Sequence, residues 1–333
     1  MLMAPFCLTA LGPTGPDPLR RVRLTVMINL PETDLVVHEL CLGGNVFGWS
    51  ADREGSHAVL DAYRGHGGNF IDTADVYSEW KPGNAGGESE TIIGSWMASH
   101  KREDLVIATK VALSSKRPGL RPENIIAACN DSLARLGTDY IDIYYSHKDD
   151  PEVPIADTLG AYAQLIQEGK VRYIAASQHT GARLQEALDI AEEHGLPSYI
   201  ALQDRYNLMD RQPFEGEQQD VLTRNHISAI PFYGVARGFL SGKYRKGVTV
   251  ESVRAEGVKE YQTDRGWAVV DALLDIAKVH SSSPSAIALA WLRSNPAVST
   301  PIASARTVEQ LHEIAEIVHL SEVEINILNR ASA

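Results

Sequence analysis

One phenol and three ionisable side chains are placed where they could move a proton together. Asp72 ends a short apolar run, and Tyr77 follows it in the loop that comes next. Lys110 ends a second apolar run, and His147 comes just after a third. Because the carboxyl ends of parallel barrel strands converge on one face, we expect these four side chains to meet there.

The chemistry predicted for this set is proton transfer at the Tyr77 hydroxyl. A free phenol has a pKa of about 10, which is too high for easy proton exchange at neutral pH. A Lys110 ammonium within hydrogen-bond reach would favour the phenolate and lower this pKa, and Asp72 would hold the ammonium charged and in position. His147 would orient a substrate oxygen. Each residue alone also has a structural interpretation, as a cap, a packing ring, a solvated lysine or a structural histidine. Their joint placement at successive strand ends favours the functional interpretation.

Short β-branched runs alternate with amphipathic helical patterns through nearly the whole chain. Eight such units without an internal linker predict an α/β fold, a single-domain (β/α)8 TIM barrel over residues 27–333. A doubly wound open sheet is the alternative, but no Gly-x-Gly-x-x-Gly follows a strand. The strands are predicted at residues 39–42, 69–71, 105–109, 141–146, 171–176, 199–203, 229–232 and 298–302. The helical patterns include residues 122–136, 155–168, 182–193, 267–280 and 284–295.

The composition is that of a soluble globular protein with a large core, with 44% hydrophobic and 22% charged residues. The formal charge of −12 argues against a nucleic-acid or membrane-surface partner. Three widely spaced cysteines give no disulfide framework and no metal spacing, which favours a cytoplasmic location. No apolar run is long enough to cross a membrane. The apolar start of the chain lacks the basic leader of a signal peptide. Residues 1–26 are rich in Pro and Gly and are predicted to form a loose N-terminal extension.

The chain resembles the aldo-keto reductase family from about residue 35 to residue 328. The resemblance implies a (β/α)8 barrel that binds NADP(H) in an extended form and reduces carbonyl compounds. It also implies that Tyr77 is the general acid, supported by Lys110, Asp72 and His147. The motifs that carry it are Gly-Gly-Asn-Phe-Ile-Asp-Thr-Ala-Asp-Val-Tyr at 67–77, Ala-Thr-Lys-Val at 108–111, Ser-His-Lys-Asp-Asp-Pro at 146–151, Gly-Lys-Val-Arg-Tyr-Ile at 169–174, Tyr-Asn-Leu at 206–208 after Gln203, and Ala-Arg-Thr-Val-Glu-Gln-Leu at 305–311.

The resemblance also implies contacts to the nicotinamide and pyrophosphate of the cofactor. Ser177, Gln178 and Gln203 stand where the family hydrogen-bonds the carboxamide, with Gln178 in place of the usual asparagine. Tyr233 stands where an aromatic ring stacks on the nicotinamide. The glycine-containing loop that follows resembles the pyrophosphate loop. Its candidate binding residues are Gly234, Val235, Gly238 and Lys243, with Arg237 as a second cation.

The adenosine half of the cofactor is expected after the last strand. Arg306 matches the partner of the 2′-phosphate, because its planar fork suits bidentate contact, and this favours NADPH over NADH. Ser304 replaces a glycine of the family pattern, and Ile314 stands where an adenine-binding asparagine is expected. The further adenosine-side candidates are Gln310 and Glu313.

The predicted partner is a small carbonyl substrate, held by Trp49 and Trp80 with Tyr145 as a further candidate. The carbonyl would accept hydride from the cofactor and a proton from Tyr77. Two other functions remain open on this barrel, a regulatory subunit resembling potassium channel β subunits and a sugar-nucleotide enoyl reductase. The N-terminal sequence and acidic composition count against the channel subunit. The sequence makes no prediction of the oligomeric state.

Overall fold

The computed structural model of this protein describes residues 27–248, 250 and 256–333, so the N-terminal extension predicted over residues 1–26 lies outside the described residues. The strands are β1 (Met27–Asn29), β2 (Val36–His38), β3 (Cys41–Gly43), β4 (Phe70–Asp72), β5 (Val106–Val111), β6 (Ile141–Ser146), β7 (Val171–Ser177), β8 (Tyr199–Gln203), β9 (Ser228–Ala229) and β10 (Ile302–Ala303).

Eight of these strands form one parallel sheet in the order β10, β3, β4, β5, β6, β7, β8, β9. Two hydrogen bonds connect β9 to the segment just before β10, from Ala229 N to Ala297 O (2.7 Å) and from Ser299 N to Ala229 O (3.0 Å). They bring the two edges of the sheet together and close it. The predicted (β/α)8 barrel is confirmed.

The helices cover the outside of the sheet and largely follow the predicted pattern. Helix α3 begins with Pro122, whose missing N–H is not needed in a first turn, and ends at Gly137 with φ of +64°. The helices are α1 (Arg53–Gly65), α2 (Glu88–Met97), α3 (Pro122–Leu136), α4 (Ile155–Gln167), α5 (Gly181–His194), α6 (Gln219–Arg224), α7 (Asp264–His280), α8 (Pro284–Arg293), α9 (Val308–Ala315) and α10 (Glu322–Ala331).

Alternate side chains of each strand pack on opposite faces of the sheet. In β5, Val106 and Ala108 belong to the inner apolar cluster, whereas Ile107 and Val111 pack with the helices. Lys110 has the same parity as Val106 and Ala108 and is fully buried. Its ammonium is therefore directed into the barrel.

The β1–β2 hairpin closes the amino-terminal end of the barrel. Leu30, Leu35 and Val37 of the hairpin belong to the same inner cluster as the inward-facing strand residues. Asn69 fixes the hairpin to the sheet, since its Oδ1 accepts from His38 N (2.9 Å) and its Nδ2 donates to Val36 O (2.8 Å). The carboxyl end of the barrel is left open for a site.

The last two strands are shorter than predicted. The sequence predicts strands over residues 229–232 and 298–302, whereas β9 and β10 have two residues each. The cause is proline, because Pro231 and Pro301 have no N–H to donate to a ladder. Irregular hydrogen bonds, such as Ile302 N to Pro231 O (2.8 Å), take over there.

Candidate active site

The carboxyl ends of five consecutive strands carry the predicted polar side chains. Asp72 ends β4, Lys110 is the penultimate residue of β5, and His147 directly follows β6. Ser177 ends β7 and Gln203 ends β8. The structure therefore places all five residues around one mouth of the barrel, as the parallel topology requires.

The Lys110 ammonium is the centre of the cluster. Its Nζ donates to Asp72 Oδ2 (2.6 Å), to the backbone oxygen of Thr73 (2.7 Å) and to the Tyr77 hydroxyl (2.9 Å). An ammonium has three protons, so each has an acceptor in the buried site. The Tyr77 oxygen accepts from Lys110, and its O–H donates to Asp72 Oδ2 in a longer contact of 3.3 Å.

The pKa of Tyr77 is displaced opposite to the direction that the sequence argument predicts. Burial raises it well above its ordinary value, and the negative charge of Asp72 acts in the same direction. The prediction of a lowered pKa was wrong, because it counted the ammonium but neither the desolvation nor the carboxylate 3.3 Å away. Tyr77 is thus held as a protonated phenol at neutral pH.

His147 lies beside the phenol with its ring nearly perpendicular to that of Tyr77, at 6.0 Å between centroids. Its side chain is buried, and Nδ1 has no hydrogen-bond partner among the residues that the structure describes. Burial lowers the pKa of His147 well below its ordinary value, and the Lys110 charge adds to this effect. A neutral imidazole carries one N–H, which is suited to donate to a substrate oxygen.

These groups face a cavity of about 530 Å³ at the barrel mouth. Trp80 is 48% exposed and forms part of the cavity wall. Trp49 contacts Trp80 edge to face at 5.8 Å between centroids but does not belong to the cavity lining. The structure thus brings one of the two predicted substrate tryptophans to the cavity and places the other behind it.

The predicted nicotinamide positions line the same cavity. The Ser177 hydroxyl is buried and has no hydrogen-bond partner in the described part of the chain, so it is available to an incoming amide. Gln203 Nε2 donates to Asp72 Oδ1 (2.8 Å), and Gln178 Nε2 donates to the backbone oxygen of His147 (2.9 Å). Tyr233 also lines the cavity, with a positive φ of 57°.

A second cavity of about 250 Å³ continues this groove, because Val235, Arg237 and Ser304 line both cavities. The second cavity contains the predicted phosphate and adenosine positions, of which Gln310 accepts a hydrogen bond from Arg306 N (3.0 Å). Together the two cavities form one continuous groove. The predicted residues lining the second cavity are Val235, Gly238, Lys243, Ser304, Arg306, Gln310 and Glu313, and Gly234 lines the first.

Comparison with known proteins agrees with this geometry. A sequence model of the aldo/keto reductase family matches residues 39–333. The chain belongs to the aldo/keto reductase family. This membership makes it an oxidoreductase of a family that binds a nicotinamide cofactor and acts on small carbonyl compounds.

Relatives within the aldo/keto reductase family carry different names. Protein tas of Escherichia coli strain K12 is 33% identical over 320 residues, covering 87% of this chain and 92% of the relative. The uncharacterized oxidoreductase YrpG of Bacillus subtilis strain 168 is 31% identical over 304 residues, covering 88% and 90%. A probable voltage-gated potassium channel subunit beta of Arabidopsis thaliana is 32% identical over 300 residues, covering 86% and 88%.

Some residues of the site give no signal in the sequence. Leu113 and Phe232 complete the apolar wall, Asn45 accepts from the Ser304 hydroxyl (2.7 Å), and Arg205 adds a cation. Asn45, Leu113 and Arg205 lie in loops, where neither periodicity nor a strand end indicates them. Phe232 ends a predicted strand, but nothing in the sequence assigns it to the wall of the site. In the part of the chain that the structure describes, no cluster of three or more His, Cys, Asp or Glu residues could hold a metal ion. Nor does any described helix combine the length and apolar character needed to cross a bilayer.

Proposed function

We propose that this protein is an NADPH-dependent oxidoreductase that reduces an aldehyde or ketone to the alcohol. The observation that carries the proposal is the Tyr77 hydroxyl, which is held protonated by its surroundings yet lies 2.9 Å from the Lys110 ammonium. When bound, NADPH supplies the hydride that adds to the carbonyl carbon. The chain itself supplies the proton and its positioning.

In this proposal the Tyr77 O–H and a neutral His147 N–H both donate to the carbonyl oxygen. As the new C–H bond forms, the C=O π electrons move to oxygen and the Tyr77 proton transfers to it, giving the alcohol. The Lys110 ammonium, 2.9 Å from the hydroxyl oxygen of Tyr77, stabilises the resulting Tyr77 phenolate, and Asp72 keeps the ammonium in place. Solvent returns the proton. The same groups serve alcohol oxidation in reverse.

The residues of the groove fit this cofactor. The unpartnered Ser177 hydroxyl and the Gln203 amide suit a carboxamide, and Tyr233 offers a ring to the nicotinamide. Arg306 in the second cavity has a half-buried guanidinium that can take a 2′-phosphate by a bidentate contact. We assign NADPH preference to Arg306 and the activity to residues 27–333.

We further propose that the protein works in the cytoplasm on a small molecule. Cys41 and Cys129 are both free and buried, which suits a reducing compartment. The acidic net charge of −12 opposes nucleic acid and anionic membranes as partners.

The direct test mixes the purified protein with NADPH and a panel of aldehydes and ketones while the absorbance of reduced nicotinamide is followed. Oxidation of NADPH with formation of the alcohol supports the proposal. Tight NADPH binding without turnover of any carbonyl would instead support a binding role, which the channel-subunit relative makes the second candidate. An α,β-unsaturated aldehyde in the panel separates carbonyl reduction from enoyl reduction by its product.

A further inference from the structure

Arg205 is a cation in the cavity that the proposed reaction leaves without a role. It lies two residues beyond the end of β8 and lines the same cavity as Tyr77 and His147. Within the described ranges its guanidinium makes no hydrogen bond and no ion pair, although it is half-buried. A guanidinium is charged at all accessible pH values and carries five N–H donors, so an unpaired one in a cavity is a binding group.

The nearest protein groups leave these donors free. The Arg205 guanidinium lies 5.5 Å from the centre of the Tyr233 ring. A contact between the charge and the ring supplies no oxygen acceptor, so the N–H donors stay without a hydrogen-bond acceptor among the described residues. The adjacent carboxylate of Asp204 is already engaged, accepting from Gln218 Nε2 (2.6 Å) and from the Arg205 backbone N–H (2.7 Å).

The other charges of the cavity are compensated. Asp72, Arg205 and Arg237 are the charged side chains among its lining residues. Asp72 pairs with Lys110 at 2.6 Å, and Arg237 donates to Gly257 O (3.2 Å) and lies 3.6 Å from Glu260. Among the described residues, the cavity therefore has one uncompensated positive charge, at Arg205.

The position of Arg205 separates it from the expected cofactor phosphates. Arg237, Lys243 and Arg306 line the second cavity, whereas Arg205 lines only the first. The wall of the first cavity also has an apolar part. It is formed by Val76, Trp80, Leu113 and Phe232. A ligand that satisfies this cavity has an apolar body and one anionic end.

We propose that Arg205 selects carbonyl substrates that carry an anionic oxygen group, a carboxylate or a phosphate, bound through the guanidinium fork. Arg205 is a specificity residue in this account, and the proton chemistry stays with Tyr77. The inference rests on the proposed reductase function for its substrate class, but the binding of the anionic group can be measured without turnover.

The test compares matched pairs of aldehydes that differ in the anionic group. 4-Oxobutanoate is paired with butanal, and glyceraldehyde 3-phosphate with glyceraldehyde. We expect kcat/KM to favour the charged member of at least one pair by about 10- to 100-fold, mainly through KM. The pair that shows the preference identifies carboxylate or phosphate as the recognised group.

Substitutions of Arg205 then assign the preference. Arg205→Met keeps an apolar side chain of similar length, and we expect the preference to fall to within about threefold. Arg205→Lys keeps the positive charge but lacks the planar fork, and we expect it to retain part of the preference for the charged aldehyde. Arg224→Met, which removes the same charge from the exposed surface of α6, is the matched control and leaves the ratio unchanged. The ratio within a pair is insensitive to partial misfolding.

Two results would overturn the proposal: no preference for either charged member, or equal loss on both members of a pair after Arg205→Met. If no carbonyl is reduced at all, the reductase function fails while the role of Arg205 remains measurable. Calorimetric titration with 4-hydroxybutanoate against 1-butanol, and glycerol 3-phosphate against glycerol, with and without NADP⁺, then decides it. If the unaltered protein binds a charged compound and Arg205→Met abolishes this binding, the anion site is supported. If the unaltered protein binds neither charged compound, the proposal is refuted.

Discussion

The Nζ atom of Lys110 lies 2.9 Å from the hydroxyl oxygen of Tyr77, and the same ammonium lies 2.6 Å from Asp72 Oδ2. The phenol therefore accepts a hydrogen bond from a cation while burial and a carboxylate hold its own pKa high. Before substrate binds, such a phenol is a weak acid that keeps its proton. It becomes a donor when a substrate oxygen gains charge, because Lys110 then stabilises the phenolate that forms.

Replacing Tyr77 by phenylalanine removes the proposed proton and leaves the ring. We expect kcat for aldehyde reduction to fall by about 10²- to 10⁴-fold, because general acid catalysis contributes in that range. The Kd for NADPH, measured by fluorescence titration, should change by less than about threefold. Unchanged turnover in Tyr77→Phe would exclude this residue as the acid.

The pH profile should show no inflection near the ordinary pKa of histidine or in the neutral range. The pKa of His147 is lowered, so its imidazole stays neutral through pH 6.5, and the pKa of Tyr77 is raised, so its phenol stays protonated well into the alkaline range. We expect kcat for reduction to be flat from about pH 6 to 9. Alcohol oxidation needs the phenolate and should accelerate as the pH rises. A fall in the reduction rate between pH 6 and 8 would contradict both assignments.

Breaking the buried pair should affect stability as well as activity. Lys110→Met leaves the Asp72 carboxylate buried with Gln203 Nε2 as its remaining strong donor, which we expect to lower the free energy of unfolding by about 3–5 kcal/mol. The double variant Lys110→Met/Asp72→Asn should recover most of this loss, because no charge is left buried. Urea unfolding of the two single variants and the double variant measures the coupling, and strictly additive changes would contradict it. We expect none of the three variants to recover turnover.

Arg306 should control the choice of cofactor. Arg306→Ala removes the proposed bidentate contact to the 2′-phosphate, and we expect KM for NADPH to rise by about 10- to 100-fold. KM for NADH should stay within about twofold, because NADH has no 2′-phosphate. Initial rates with each cofactor measure the ratio. Equal effects on both cofactors would place Arg306 outside 2′-phosphate recognition.

Asp75 should make the protein less stable as the pH rises. Burial, and then the charge of Glu90, raise its pKa from 3.8 to about 8. Neither carboxyl oxygen has a hydrogen-bond partner within the described ranges. Between these values the folded state binds more protons than the unfolded state, so the free energy of unfolding falls as pH increases. Asp75→Asn should raise it at pH 8 by on the order of 2 kcal/mol and by much less at pH 4. Urea unfolding at both pH values tests this, with Asp139→Asn on the exposed surface as the control.

The positions of the proton-transfer residues followed from the sequence because parallel strands bring their ends together. Asp72, Lys110 and His147 each end or follow an apolar run, and the run is visible without a structure. Tyr77 follows Asp72 closely enough that the loop cannot carry it far. Local pattern and barrel topology were sufficient for this part of the site.

Other features depend on distances that the sequence does not contain. Gln203 and Asp72 are separated by 131 positions, so their hydrogen bond follows only from the closed barrel. The sign of the Tyr77 pKa shift depends on desolvation, which a residue list does not give. Arg205 lies in a loop, and neither its residue type nor its spacing from the end of β8 indicates that it lines the cavity. Pro231 and Pro301 make β9 and β10 shorter than the continuous apolar runs of the sequence predict.

The bond between Gln203 Nε2 and Asp72 Oδ1 has a mechanical consequence. In the strand order, β4 and β8 are separated by three strands in either direction, so this side-chain contact ties opposite sides of the barrel mouth across its diameter. A ligand that draws the Gln203 amide toward itself takes a donor from the carboxylate that holds Lys110. Ligand binding at Gln203 and the pKa of Tyr77 on the opposite side of the mouth are then coupled. The free energy by which ligand binding changes the protonation of Tyr77 equals the free energy by which protonation changes ligand binding.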